Sequence, residues 1–438
     1  EEGLLSLPHR LWEAASEASP TLAALRCSSP SSAGSGGATR GRCDEEVSGD
    51  ERDAVGADGL CWERVVPHYA PRLLPQTMRT RQFEFHPSLP NIILIGDKKG
   101  GVSVLDVDSS ELHPHLAVGV CPVLGLAWLR HHPQIAACGA SNSGKITFLK
   151  YDPGVPKTEP ALSLKQSLEE FPKLSSLSTN CTDDFMLVSG ISPNLAVYDV
   201  QTGKVLVKAS NVHEHFINIS RFCNTNPHVF ATSSFDHTCK VWDLRRPILH
   251  DKPVKTLVTG GQNVMCTFSP DDKHILCSGV DTRLSQFETQ SWHQWPERFP
   301  LRDPLHRERY RRSTYTASGQ HFITAATEES HMHLMSVSGK KLGVVDFRGV
   351  IKDQAPLHRA PRSPASAARG ALVKGSVQLD DADPNGGSSR NNHEFVQSIR
   401  AHPELNNRFG VLLTLATGEQ SYVAMVDVDR RALLSESL

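Results

Sequence analysis

Three pieces of one stretch decide the fold: His213-Glu214-His215-Phe216-Ile217, Phe230-Ala231-Thr232-Ser233-Ser234-Phe235-Asp236 and Lys240-Val241-Trp242-Asp243-Leu244-Arg245. Short apolar and β-branched runs are broken by a Ser-Phe-Asp turn and close on Trp-Asp, which reads as successive strands. Working outward, the same plan recurs. Phe83-Glu84-Phe85-His86-Pro87, Leu126-Ala127-Trp128 with His132-Pro133, Ile219–Phe222 with Asn226-Pro227, and Met265–Pro270 each open a unit. The later strand of each unit ends on a large apolar residue, mostly with an acid next: Leu105-Asp106, Leu149, Tyr198-Asp199, Trp242-Asp243, Phe287-Glu288, Met335 and Val426-Asp427. Those ends lie 44, 49, 44, 45 and 48 residues apart, followed by a gap of 91.

A period near 45 with four short strands per unit matches the blade of a WD40-type propeller. The long gap accommodates an insertion over 350–392, rich in Pro, Ala, Arg, Gly and Ser and expected to be a disordered loop. The sequence therefore predicts an all-β, seven-bladed β-propeller over about residues 75–430. Closure of the ring pairs first and last blades and leaves no long edge exposed. Ahead of it, residues 1–26 carry Leu at loosely helical spacing, as in a short helical or leucine-rich remnant. Residues 27–60 are Ser-, Gly- and acid-rich and read as a disordered linker, because they cannot bury enough apolar area to offset their ordering entropy.

Composition narrows the function classes. The 438 residues hold 46 Lys+Arg against 48 Asp+Glu, so neither a strongly basic nor an acidic-tail protein is indicated. No run approaches the ~20 apolar residues of a membrane helix, and no basic-then-apolar signal pattern opens the chain. The 10 cysteines are scattered with no Cys-x-x-Cys pair, and Cys138, Cys266 and Cys277 sit in apolar runs. They read as reduced core residues of a soluble nuclear or cytoplasmic protein.

Several motifs invite a chemical reading. Gly139-Ala-Ser-Asn-Ser-Gly144-Lys145-Ile146 lacks the Ser/Thr and the following helix of a phosphate-binding loop, and reads as a hairpin turn. His331-Met332-His333 and His213-Glu214-His215 each place two imidazoles on one side of a strand. No third ligand at usual spacing accompanies either pair, so no metal site is expected. Asp183-Asp184 and Asp271-Asp272 read as solvated turn residues. No nucleophile elbow accompanies any Ser, so no catalytic residue and no cofactor are expected. The run from Arg302 to Arg312, with Arg307, Arg309, Arg311 and Arg312, admits two readings: a basic rim patch for phosphate, or a solvated connection between blades.

The fourth unit resembles WD40 repeats closely. The resemblance implies a hydrogen-bonded tetrad of His213, Ser234, Asp236 and Trp242 spanning the blade, rather than a Ser-His-Asp nucleophile set. Asp236 followed by Trp242-Asp243-Leu244-Arg245 further resembles the DWD box of proteins that dock on the damaged-DNA-binding adaptor of cullin–RING ubiquitin ligases. Arg81–Pro87, Val123–Trp128, Phe230–Asp236, Cys266–Asp272 and Phe395–Arg400 also resemble a plant and algal family that joins leucine-rich repeats to WD40 repeats. More distantly, the repeat order is similar to that of the damaged-DNA-binding receptor, although no apolar wedge of the kind inserted into a duplex stands in the basic run. These resemblances imply a non-catalytic substrate receptor with Asp236, Trp242, Asp243 and Arg245 as its docking box. Its partners would be the ligase adaptor and an unknown substrate protein, with a monomeric propeller inside the complex. A nucleic-acid-associated propeller and a general interaction scaffold are the alternatives; a membrane partner is not implied.

Overall fold

The computed structural model describes residues 72–428, apart from 74–76, 79, 247–251, 281–282, 297–298, 300, 302–309, 328, 349, 351–393 and 416–419, within the compact unit Gly56–Leu438. The leader 1–26, the linker 27–60 and all of the insertion but Val350 lie outside the described residues. Seven antiparallel sheets form the blades of an all-β propeller. Their innermost strands are Thr80–Phe85, Val123–Trp128, Leu174–Thr179, Ile217–Phe222, Asn263–Phe268, Arg311–Tyr315 and Glu394–Ala401. These contact one another in sequence around the axis, and Glu394–Ala401 returns to Thr80–Phe85. No helix among the described residues is long and apolar enough to cross a membrane.

The repeated strand ends mark one structural position. Leu105, Leu149, Tyr198, Trp242, Phe287, Met335 and Val426 each lie opposite the second residue of the preceding strand: Ile93, Ala136, Met186, Phe230, Ile275, Phe322 and Phe409. All fourteen side chains are buried. Strand alternation sends each such pair to the same face, and seven apolar clusters fill the seven seams between neighbouring blades. The core is thus a ring of seams. Cys138, Cys266 and Cys277 are buried there as unpaired thiols.

Ring closure uses the chain's earlier end. Arg72–Leu73 and Thr77–Met78 both pair with Gln420–Asp427, adding the outer strand that the last blade lacks. The Gly139–Ile146 segment is the expected hairpin turn, joining Ile135–Ala140 to Ile146–Tyr151, with Gly144 at φ 69°.

Neighbouring blades are stapled by the loops that join first and second strands. Asp183, at φ 61°, accepts the backbone N–H groups of Arg130 (2.9 Å), His131 (2.6 Å) and His132 (3.2 Å) from the preceding blade. Asp272, at φ 56°, accepts those of Asn224 (2.7 Å) and Thr225 (2.6 Å) and the Thr225 hydroxyl (2.7 Å). The expectation of solvated turn residues is therefore corrected for this pair. Asp183 is buried and Asp272 half-buried, because each closes a seam that leaves backbone donors without a strand partner. Asp184 and Asp271 are exposed.

Candidate functional site

Blade four holds the sharpest motif, and its interior is a linear hydrogen-bond chain. Asp236 Oδ2 lies 2.7 Å from His213 Nδ1, and His213 Nε2 lies 2.7 Å from Thr232 Oγ1. Thr232 Oγ1 then accepts the Trp242 indole N–H at 2.9 Å. Ser234 is not a member of this chain, contrary to the tetrad expected from the repeat. Its hydroxyl donates to the Phe216 carbonyl at 2.9 Å and accepts the Asp236 N–H at 3.2 Å. The reason is register. Trp242 lies opposite Phe230 and Lys240 opposite Thr232, so the indole reaches diagonally to residue 232, whereas Ser234 faces Ile217 on the other neighbour.

Every polar end of the chain is satisfied. Thr238 Oγ1 donates to Asp236 Oδ1 at 2.6 Å, and the Glu214 N–H donates to Oδ2 at 3.1 Å. Burial alone would raise the Asp236 carboxyl. The hydrogen bond and charge of His213, with Thr238 and Glu214, outweigh it and hold the group well below the carboxylate range. Burial pushes the His213 imidazole down, opposed by Asp236. A Ser-His-Asp hydrolytic arrangement is not assembled, since the histidine is locked between Asp236 and Thr232.

Trp242 and Asp243 end the strand Thr238–Asp243, and Arg245 emerges just beyond it with 61 % of its side chain exposed. Loops after first and third strands leave an antiparallel blade on one face, so Arg245 shares its face with Arg130 and Asn224. Its Nε and Nη2 donate to Asp243 Oδ1 and Oδ2 at 2.9 and 2.7 Å, leaving Nη1 directed to neither oxygen. That clamp holds the Asp243 carboxyl below its ordinary range and fixes the guanidinium plane. The same two-point pairing recurs at Asp346–Arg348 in blade six, Nε to Oδ1 at 3.1 Å and Nη2 to Oδ2 at 2.5 Å.

The basic run is corrected as well. Arg307 and Arg309 lie outside the described residues. Arg311 is buried, 3.5 Å from Glu329, and Arg312 lines the axial channel. Adjacent residues of a strand point to opposite faces, so Arg311–Tyr315 sends its first arginine into the blade and its second to the axis. The described pair therefore makes no rim patch. Sequence spacing also missed Glu329, which joins His331 and His333 so that their ligand atoms lie within 4.8 Å of one another. Arg311 beside this carboxylate supplies a positive charge that competes with any cation there. Burial first, then the Lys341, His331 and Arg311 charges, push His333 down to about 2.

Comparison with known proteins agrees with this geometry. Residues 206–243 match the WD domain, G-beta repeat family. The chain is 31 % identical over 274 residues to Protein DWD HYPERSENSITIVE TO UV-B 1 of Arabidopsis thaliana, covering 61 % of this chain and 35 % of that protein. It is 28 % identical over 195 residues to DNA damage-binding protein CMR1 of Chaetomium globosum, covering 40 % and 36 %. It is 26 % identical over 245 residues to its namesake of Aspergillus clavatus, covering 49 % and 42 %. The match thus spans about a third to two fifths of these relatives' lengths. Seven sheets around one axis make the chain a seven-bladed β-propeller, with one blade that matches the WD repeat and a partial likeness to the Arabidopsis DWD protein.

Proposed function

We propose that the propeller is a non-catalytic substrate receptor that docks on the damaged-DNA-binding adaptor of a cullin–RING ubiquitin ligase. The observation that carries this is Arg245: exposed, clamped in plane by Asp243, and set two residues past the Trp242-Asp243 strand end. Planar guanidinium donors suit a carboxylate or carbonyl on a partner, and Arg is enriched among interface anchors. Similarity to a relative whose name carries the DWD label supports the same assignment. In that role Asp236 and Trp242 hold the blade while Asp243 and Arg245 present the contact. The rest of the surface recruits an unidentified substrate protein, and the propeller works as a monomer inside a nuclear or cytoplasmic complex.

The test is co-purification with the adaptor at matched salt. Arg245→Ala is expected to melt with the wild type, as exposed positions do, yet bind roughly tenfold more weakly. Arg245→Lys rescues in part, because an ammonium lacks the two-pronged donor geometry. Arg348→Ala, which removes the matching clamp in blade six, leaves binding unchanged. Equal recovery of all four proteins removes the docking role. A second reading, association with nucleic acid, is favoured by likeness to the two DNA damage-binding proteins. Its mark is binding that collapses between about 50 and 200 mM salt.

A further inference from the structure

The axial channel concentrates charge that the protein does not neutralise. Four arginines, Arg81, Arg221, Arg312 and Arg400, share the channel with the carboxylate of Glu84, and the charges of the other four groups all act on Arg312. Arg400 takes that carboxylate, with Nη2 at 2.7 Å and Nε at 2.9 Å from Oε1. Arg221 reaches it only at 3.8 Å. Among the described residues, no carboxylate lies within ion-pair distance of Arg81 or Arg312, and the buried Arg312 Nε has no hydrogen-bond partner. Each guanidinium carries five donors, so an unmatched group in a narrow channel is costly.

Two devices bring them there. A register shift between Thr80 and Gln82 places Arg81 at a β-bulge, which re-aims a side chain on its strand. Strand alternation turns Arg312, but not Arg311, to the axis. The channel's throat, lined by Gln82, Glu84, Arg221, Arg312 and Arg400, has about 10 Å³ free, room for a single water. It opens toward the Arg130 face into a mouth of about 350 Å³, and Glu84, Arg221 and Arg400 line both. The wide part therefore ends on guanidinium groups.

We propose that this channel is a binding site for a compact phosphate-type anion, seated where mouth meets throat on Arg221 and Arg400, with Arg312 and Arg81 behind it. Planar guanidinium forks match phosphate oxygens in pairs, and the surrounding barrel wall keeps the field from being screened. The mutual strain of the cations fits the same site. Burial, then the charges of Arg81, Arg400 and Arg221, push the Arg312 guanidinium down to about 9, and burial pushes Arg81 down to about 10. Glu84 opposes the anion and occupies the Arg400 Nε and Nη2 donors, while Nη1 stays anchored on Ser398 and the Ile399 carbonyl, so removal of Glu84 frees those donors and strengthens binding.

Thermal denaturation of the full chain with sodium pyrophosphate, at ionic strength balanced by chloride, tests this. The melting point is expected to rise and saturate by about 10 mM, since a ligand of the folded state alone stabilises by mass action. Arg221→Gln and Arg312→Gln are each expected to weaken binding roughly tenfold or more, and Glu84→Gln to tighten it. Arg312→Gln removes repulsion, so without ligand it melts no lower than the wild type and remains a usable protein. A chloride-balanced titration without a rise overturns the proposal, as does a rise that persists in both arginine variants. Stabilisation by a single-stranded oligonucleotide and none by pyrophosphate overturns it in favour of nucleic acid.

Discussion

At the scale of single residues, the blade-four chain shows how much rests on one hydroxyl. Thr232 Oγ1 serves two buried nitrogens, His213 Nε2 and Trp242 Nε1. Thr232→Val keeps shape and burial but orphans both, so it is expected to cost about 1–3 kcal/mol. Ser234→Ala removes a donor to the Phe216 carbonyl and a long acceptor of the Asp236 N–H, both backbone groups, and is expected to cost about 1 kcal/mol. Trp242→Ala should cost about 3–5 kcal/mol as a large-to-small core change. Denaturant melts of the three variants check the order, and a Ser234→Ala loss larger than that of Thr232→Val would restore the original tetrad. The sequence offered Thr232, Ser233 and Ser234 in a row, and spacing alone could not choose between two hydroxyls on the same face. Only the opposition of Trp242 and Phe230 decides it. His, Asp and Trp were legible because no other residue of those types stood at those positions.

At the scale of elements, alternation and period were readable wherever strands are five or six residues long and seam-facing. They failed where an element is too short or too charged to carry a pattern. Arg72–Leu73 and Thr77–Met78 are two-residue strands with no alternation to detect, yet they complete the last blade. In Arg311–Tyr315 a charge run concealed a strand, so one arginine went to the blade interior and one to the axis. The aspartate staples belong here too. Asp272→Ala discards the acceptor of four donors, the Asn224 side-chain amide among them, and puts a residue with a Cβ but no local hydrogen bond at φ 56°, so it is expected to cost about 2–3 kcal/mol. Asp272→Asn keeps an acceptor and a residue type that tolerates left-handed backbone, and should cost less than half of that. Chemical denaturation resolves the two; equal losses would mean that conformation, not the carboxylate, sets the seam.

At the scale of the whole molecule, burial of histidine makes the ring acid-sensitive. Burial pushes His86, His213, His215, His331, His333 and His402 all downward. Two of them do the same job on neighbouring blades. His86 Nδ1 accepts the N–H groups of Ser88 (3.2 Å) and Leu89 (3.0 Å), and His402 Nδ1 those of Glu404 (3.2 Å) and Leu405 (3.0 Å). His86 Nε2, 2.9 Å from the Pro133 carbonyl, takes the donor role, which assigns the neutral tautomer. A proton on Nδ1 would face two N–H groups and break both His-Pro turns. The unfolded chain binds that proton near pH 6.5 while the folded chain refuses it, so more protons are bound on unfolding and stability rises with pH across this window. Stability is therefore complete above about pH 6.5 and is lost as pH falls below it, by up to about 1.4 kcal/mol per pH unit for each buried ring that still refuses its proton. The depressed carboxylates, Asp236 among them, add a second loss below about pH 4. Asparagine can supply the same acceptor to the two following amides without titrating. The paired variant His86→Asn with His402→Asn is expected to lower stability modestly at pH 7.5, where the Pro133 contact is lost, yet to show a shallower decline from pH 6.5 to 5. Melting curves of both proteins over that range decide the matter: parallel declines would place the acid sensitivity in the other four rings.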